Sequence, residues 1–255
     1  MSEAKSHARL SQIQTLWTVV GWAHGDGSAE TIRIAQEQLI ERYGSVVRRY
    51  LLGALRNADA ADELSQEFAL RFVRGDLKRV DRERGRFRDY VKGTLFHLIG
   101  DYHRRNKRRA TSLTDGLEPA TEDTGLASQD EVFLEGWRAE LINRAWQALE
   151  RLEQESGQPF HRVLQLRATQ PEMRSGEMAV ALGPQLERQV SADWVRQSLH
   201  RARERFAGFL LHEVRDTLDD PTLEQLEEEL ITLGLHGYCQ PALDACRATP
   251  GEQKK

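Results

Sequence analysis

The sequence predicts an all-α protein made of two small helical domains, and three observations lead there. Apolar residues recur at three- and four-residue spacing along most of the chain, which is the period of a helix with one buried face. No stretch alternates apolar and polar residues between turn signals, as a half-buried strand would. The 255 residues are 39% hydrophobic and 30% charged, too polar for one large globule and suited to small domains with much exposed surface.

The elements follow in order. After Leu16, Trp17, Val20 and Trp22 comes the breaker run Gly25-Asp26-Gly27. Ser28 can cap a helix carrying Ile32, Ala35, Leu39 and Tyr43 on one face. Helical pattern resumes from Val46 to Leu55 and breaks at Asn57, with Asp59 as the candidate cap of the next helix, about 60–73. That helix sets Ala61, Leu64, Phe68 and Phe72 against Asp62, Glu63, Gln66 and Glu67. A basic loop from Lys78 to Arg86 leads to a long helix, 87–108. Its apolar stripe is Phe87, Tyr90, Val91, Leu95, Leu98, Ile99 and Tyr102, and His97, Asp101, Arg104, Arg105 and Arg108 lie opposite. Residues 111–130 are rich in Thr, Ser, Gly, Asp and Glu and read as a linker. Helical pattern returns near Glu131 with Phe133, Trp137, Leu141 and Trp146, then over 159–168 and 175–182, where Gly183-Pro184 stops it. Ser191 caps a helix carrying Val195, Leu199, Ala202 and Phe206. An acidic helix, 222–233, and a Gly- and Pro-punctuated end complete the chain. The expected division is a first domain over 10–110, the linker over 111–130, a second domain over 131–215 and an acidic extension over 216–255.

Charge is segregated. The net charge is −4, yet Lys78 to Arg109 holds 12 Lys or Arg against 4 Asp or Glu, a net of +8. Asp115 to Glu140 and His212 to Leu233 each carry 8 acidic residues and one Arg. A Lys/Arg cluster gains affinity for a nucleic-acid backbone by releasing counterions. Phe87, Tyr90, Phe96, His97 and Tyr102 interleave with these charges, and planar side chains stack on unpaired bases for about 1–3 kcal/mol each. The pattern suits single-stranded or melting DNA; a solvated basic helix with all its aromatics in the core is the plain alternative. Farther on, a short helix, a turn and a capped helix exposing Arg196, Gln197, Ser198, His200, Arg201 and Arg203 resemble a helix-turn-helix. The long turn from Gly183 to Val190 leaves an ordinary helical hairpin open.

No P-loop, HExxH or nucleophile triad is present, so an enzyme is not expected. Cys239 and Cys246 match no standard zinc spacing and read as free thiols; no metal or cofactor is expected. Few cysteines and no signal peptide point to a reducing cytosol, and the apolar runs fall short of the roughly 20 residues a membrane helix needs.

Together these segments resemble the sigma-70 family of bacterial transcription initiation factors, specifically its extracytoplasmic-function group. Asp62-Glu63-Leu64-Ser65-Gln66-Glu67-Phe68 with Leu70-Arg71 looks like the polymerase-docking helix of sigma region 2. Gly85 to Tyr90, continuing to Asp101-Tyr102-His103-Arg104-Arg105, looks like that region's melting and −10-recognition part. Ser191 to Phe206 is similar to the recognition helix of region 4. The Arg-Gly-Arg-Phe-Arg run and the acidic stretch before region 4 look like the sigma factors of planctomycete-type bacteria. The resemblance implies that Asp62, Glu63, Gln66 and Glu67 dock on the clamp coiled coil of the large subunit of core RNA polymerase. Phe96, His97, Asp101, Arg104, Arg105, Lys107 and Arg108 would serve the −10 element, with His97 where a flipped base is captured. Arg196, Gln197, Ser198, His200, Arg201 and Arg203 would read and grip the −35 element. Ser198 stands where family members often carry a basic residue, and Pro184 to Gln189 looks inserted.

Two domains suit promoter elements about two helical turns apart, which one small domain does not span. The acidic linker, with Asp115, Glu118, Glu122 and Asp123, would be repelled by DNA and is expected in a basic channel. The acidic extension could cover the basic surfaces and hold the protein inactive, bind an anti-sigma factor, or simply pack on the second domain. The competing functional reading is a helix-turn-helix regulator that binds its site without polymerase.

Overall fold

The computed structural model describes residues 28–74, 86–113, 126–218 and 220–248. Every regular element among them is a helix, so the chain is all-α as predicted. It forms two compact units, Met1–Arg138 with Asp216–Asp220, and Ala139–Arg215 with Pro221–Lys255. The segment before Ser28, residues 75–85 with all of the basic loop but Arg86, and linker residues 114–125, including Asp115, Glu118, Glu122 and Asp123, lie outside the described residues.

In the first unit, α1 (Ala29–Leu55) runs unbroken through Gly44, joining two stretches that read separately in sequence. It ends where Arg56 takes a left-handed φ of 50°. The cap of α2 (Ala58–Arg74) is Asn57, not Asp59: Asn57 Oδ1 accepts the Ala60 N–H at 3.0 Å. Asp59 falls in the first turn instead, where its charge suits the positive end of the helix dipole. α3 (Phe87–Leu113) and α4 (Leu126–Ser156) both reach into the stretch read as linker.

The first core joins Tyr43, Val47 and Leu51 of α1, Leu64 and Phe72 of α2, and Phe87, Val91, Leu95 and Leu98 of α3. The start of α4 completes it. Trp137 stacks on Tyr43 at 4.9 Å, lies 6.0 Å from Phe87, and is 1% exposed. Phe133 meets Tyr50 edge-on at 5.3 Å, and Lys92 Nζ of α3 pairs with Asp130 at 2.7 Å. Residues up to Arg138 therefore pack with the first unit, although Phe133 and Trp137 read in sequence as the opening of the second domain. Asp216–Asp220 also belongs here: the carbonyl of buried Thr217 accepts the Phe87 N–H at 3.3 Å, and Arg42 lies 3.9 Å from Asp216.

In the second unit, the rest of α4 packs with α5 (Phe160–Thr169), α6 (Ser175–Gln185) and α7 (Ala192–Asp216). Their shared core is Leu149, Val163, Met178, Leu182, Val195, Leu199 and Ala202. α6 continues through Gly183 and Pro184 to Gln185, although Pro184 has no N–H to give to the preceding turn. The acidic helix α8 (Leu223–Thr232) starts at Thr222, whose Oγ1 accepts the Gln225 N–H while the Gln225 side chain takes the Thr222 N–H. The punctuated end is a ninth described helix, α9 (His236–Ala248), with Cys239 and Leu243 buried and Pro241 inside it. Glu227 of α8 is held by His236 at 3.1 Å and Arg247 at 2.5 Å, and Glu229 is fully buried, so part of the extension's acidity is committed within the second unit.

Both cysteines are free thiols; burial pushes that of Cys239 up to about 12. Among the described residues no His, Cys, Asp and Glu group is placed to hold a metal, and no helix is long and apolar enough to cross a membrane. Trp137→Ala should cost the first unit about 3–5 kcal/mol, the range for deleting a buried tryptophan, measured by urea unfolding.

Candidate functional site

On α2, Asp62, Glu63, Gln66 and Glu67 share one face, since residues three and four apart adjoin on a helix. They are not equivalent. Glu63 and Gln66 are exposed, and their side chains make no hydrogen bond among the described residues. Asp62 receives Arg48 of α1 through two bonds, 2.6 and 3.3 Å. Glu67 accepts Arg71 at 2.5 Å and, across to α3, Arg105 at 3.1 Å.

On α3 the amphipathic pattern separates core from surface as the spacing requires. Phe87, Tyr90, Val91, Leu95, Leu98 and Ile99 are buried, and Tyr102 is half-buried. Phe96 and His97 project outward with ring centres 6.2 Å apart. Phe96 is 51% exposed, an uncommon situation for a ring with no polar atom. Two to three turns along, Arg104, Arg105, Lys107 and Arg108 are exposed, giving a surface with aromatic rings at one end and cations at the other. Arg88, within the motif, is instead buried at the start of α3.

Asp101 joins the faces. It accepts Arg104 at 2.5 Å and lies 3.7 Å from Arg71, which also holds Glu67. One connected set of charges thus runs from the α2 face to the cationic end of α3, with Arg71 at its centre. The sequence motif contained Arg71 without assigning it a task; its four-residue spacing from Glu67 is the signal that points to it. Burial pushes the Glu67 carboxyl up, but hydrogen bonds from Arg105 and Arg71 outweigh that and hold it below its ordinary range. The hydrogen bond from Arg104 likewise lowers Asp101.

On α7, Ser191 Oγ accepts the Trp194 N–H at 3.1 Å, the cap the sequence predicted. Arg196, Gln197, His200, Arg201 and Arg203 are exposed. Arg196 pairs with Asp193, and His200 lies 3.4 Å from Glu204. Ser198 departs from expectation: it is 8% exposed and faces the core, because Val195, Ser198, Leu199 and Ala202 fall at three-, four- and seven-residue spacing on the buried stripe. It is no surface contact. The connection between α6 and α7 is six residues, shorter than the Gly183 to Val190 turn read from sequence.

Residues 39–109, about a quarter of the chain, match a family model described as Sigma-70 region 2. No curated protein and no solved structure matches the chain. The matched segment holds the α2 face and the α3 surface together. It supports a sigma-70-type factor that binds RNA polymerase and recognises promoters.

Because the native Glu67 carboxyl titrates below its unfolded value, its contribution is complete at neutral pH and is lost as pH falls through the native value. Glu67→Gln should therefore cost up to about 1 kcal/mol at neutral pH. The difference from wild type should close on acidification through the carboxylate range, followed by urea unfolding over a pH series.

Proposed function

We propose that the chain is a sigma factor of the extracytoplasmic-function group, of the planctomycete-like kind, and that its two units divide the promoter between them. The observation that carries this reading is the pairing, within the matched segment, of an exposed polar face on α2 with an aromatic-and-cationic surface on α3. A DNA-binding module acting alone needs the second and has no use for the first.

The first unit docks on core polymerase through Glu63 and Gln66, flanked by Asp62 and Glu67, whose arginine partners hold their carboxylates in place. Docking sets α3 against the −10 element. Phe96 offers a stacking surface to an unpaired base and His97 a hydrogen-bonding edge, while Arg104, Arg105, Lys107 and Arg108 hold the strand's phosphates. The chemistry is non-covalent: melting costs base stacking, and aromatic stacking and counterion release offset it.

The second unit is a helix-turn-helix that lays α7 in the major groove at the −35 element. Arg196, Gln197, His200, Arg201 and Arg203 form its contact row; arginine can pair with guanine and glutamine with adenine. Among the described residues Arg201 and Arg203 have no carboxylate partner, so neither surrenders an ion pair on meeting phosphate.

Glu63→Ala combined with Gln66→Ala should weaken core-polymerase binding about tenfold or more, equivalent to about 1.4 kcal/mol, and reduce run-off transcription in proportion. Full polymerase binding by this variant, or promoter-selective duplex binding without polymerase, overturns the reading in favour of a self-sufficient regulator.

A further inference from the structure

We infer that Arg188, in the turn between α6 and α7, is a further DNA-backbone contact, held in place by Trp194; this rests on the reading of α7 as a groove-binding helix. The segment Pro184 to Gln189 looks like an insertion in sequence, yet the structure gives it a built form. Glu187 takes a left-handed φ of 51°, which folds the chain back so that the Arg188 N–H donates to the Gly183 carbonyl at 3.2 Å. A Cβ on Gly183 would come within 3.3 Å of the Arg188 carbonyl oxygen, so a side chain there would crowd this return. Leu186 and Val190, on either side, pack against the core of the unit, and Arg162 holds the Gln185 carbonyl at 2.9 Å.

The turn delivers the Arg188 guanidinium onto the ring of Trp194, 4.8 Å from its centre. Trp194 is anchored in turn, packed against the core while its ring carries the arginine. By helical spacing Trp194 lies on the flank that also carries Gln197 and Arg201, three and seven residues on. Arg188 therefore extends the contact row by one cation. An arginine stacked on an indole keeps its donors free at the edge of the plane, so it can take phosphate oxygens without giving up the stack. Among the described residues no carboxylate pairs with Arg188, in contrast to Arg196, which Asp193 holds. The ligand class is a phosphodiester backbone, bound without regard to base identity.

The test uses the full chain assembled with core polymerase, on a duplex selected by that holoenzyme from a random pool, with affinity measured across a range of KCl. Arg188→Ala should weaken binding and make the slope of log affinity against log salt shallower by about one. Arg201→Ala reports on the α7 reading itself, and Arg151→Ala, an exposed arginine on α4, reports on bulk charge. If Arg201→Ala reduces affinity and Arg188→Ala leaves the slope unchanged, the Arg188 assignment fails while the α7 reading stands. If neither variant has an effect, both fall. An equal loss from Arg151→Ala makes the effect one of general charge and overturns the assignment. In a chain carrying Trp194→Leu, with folding checked by thermal melting, Arg188→Ala should add little, and a full further loss overturns the role given to the stack.

Discussion

Tyr43, Phe87, Phe133 and Trp137 come from three helices widely separated in sequence, and their rings meet in one cluster. This packing constrains everything else in the first unit. Once Phe87 is committed to it, the helical period fixes which side of α3 is buried and so turns Phe96, His97 and the arginines outward. Trp137 does the same for α4, assigning its opening turns to the first unit while its later turns supply Leu149 to another core. The orientation of this aromatic-and-cationic surface is thus set by apolar contacts on the reverse side of the same helix. Large rings suit this task, because each buries much area and restricts its neighbours through shape.

Charge is managed on top of that frame. The cationic end of α3 would repel itself if its arginines stood alone, and Glu67 and Asp101 reduce the repulsion by lying among them. Exposed pairs of this kind contribute little stability, so their main effect is on where the side chains point. Arg104 and Arg105 are held near the surface they would use, and phosphate oxygens can replace the carboxylates with donors already gathered. The same carboxylates lie on or beside the face proposed to meet polymerase, so the two surfaces share ion pairs through Arg71.

Much of this was legible in the sequence, wherever one helical period ran uninterrupted. The stripes of α2 and α3, the Ser191 cap and the acidic helix after Thr222 all lie as the spacing indicates. Glycine and proline are poorer guides to where these helices end. Gly44 does not break α1, Pro184 does not end α6, and Gly237 and Pro241 do not prevent α9, because packing against neighbours outweighs a local propensity cost. Ser198 runs the other way: its chemistry suits a surface contact, but its register places it inside. The ion pairs joining α2 to α3 span 30 and 38 positions in sequence, and no local pattern could announce them.

The bond from the Phe87 N–H to the Thr217 carbonyl bears on how the protein is made. The first unit is discontinuous: most of it lies before Arg138, and a short strap arrives only after α7. A chain emerging from the ribosome exposes α1 to α3 early, but the strap that closes over the start of α3 follows about 130 residues after Phe87, many seconds later at ordinary synthesis rates. The first unit thus reaches its finished form only after α5 to α7 of the second have been translated, and a fragment cut after Arg138 would lack part of its own wall.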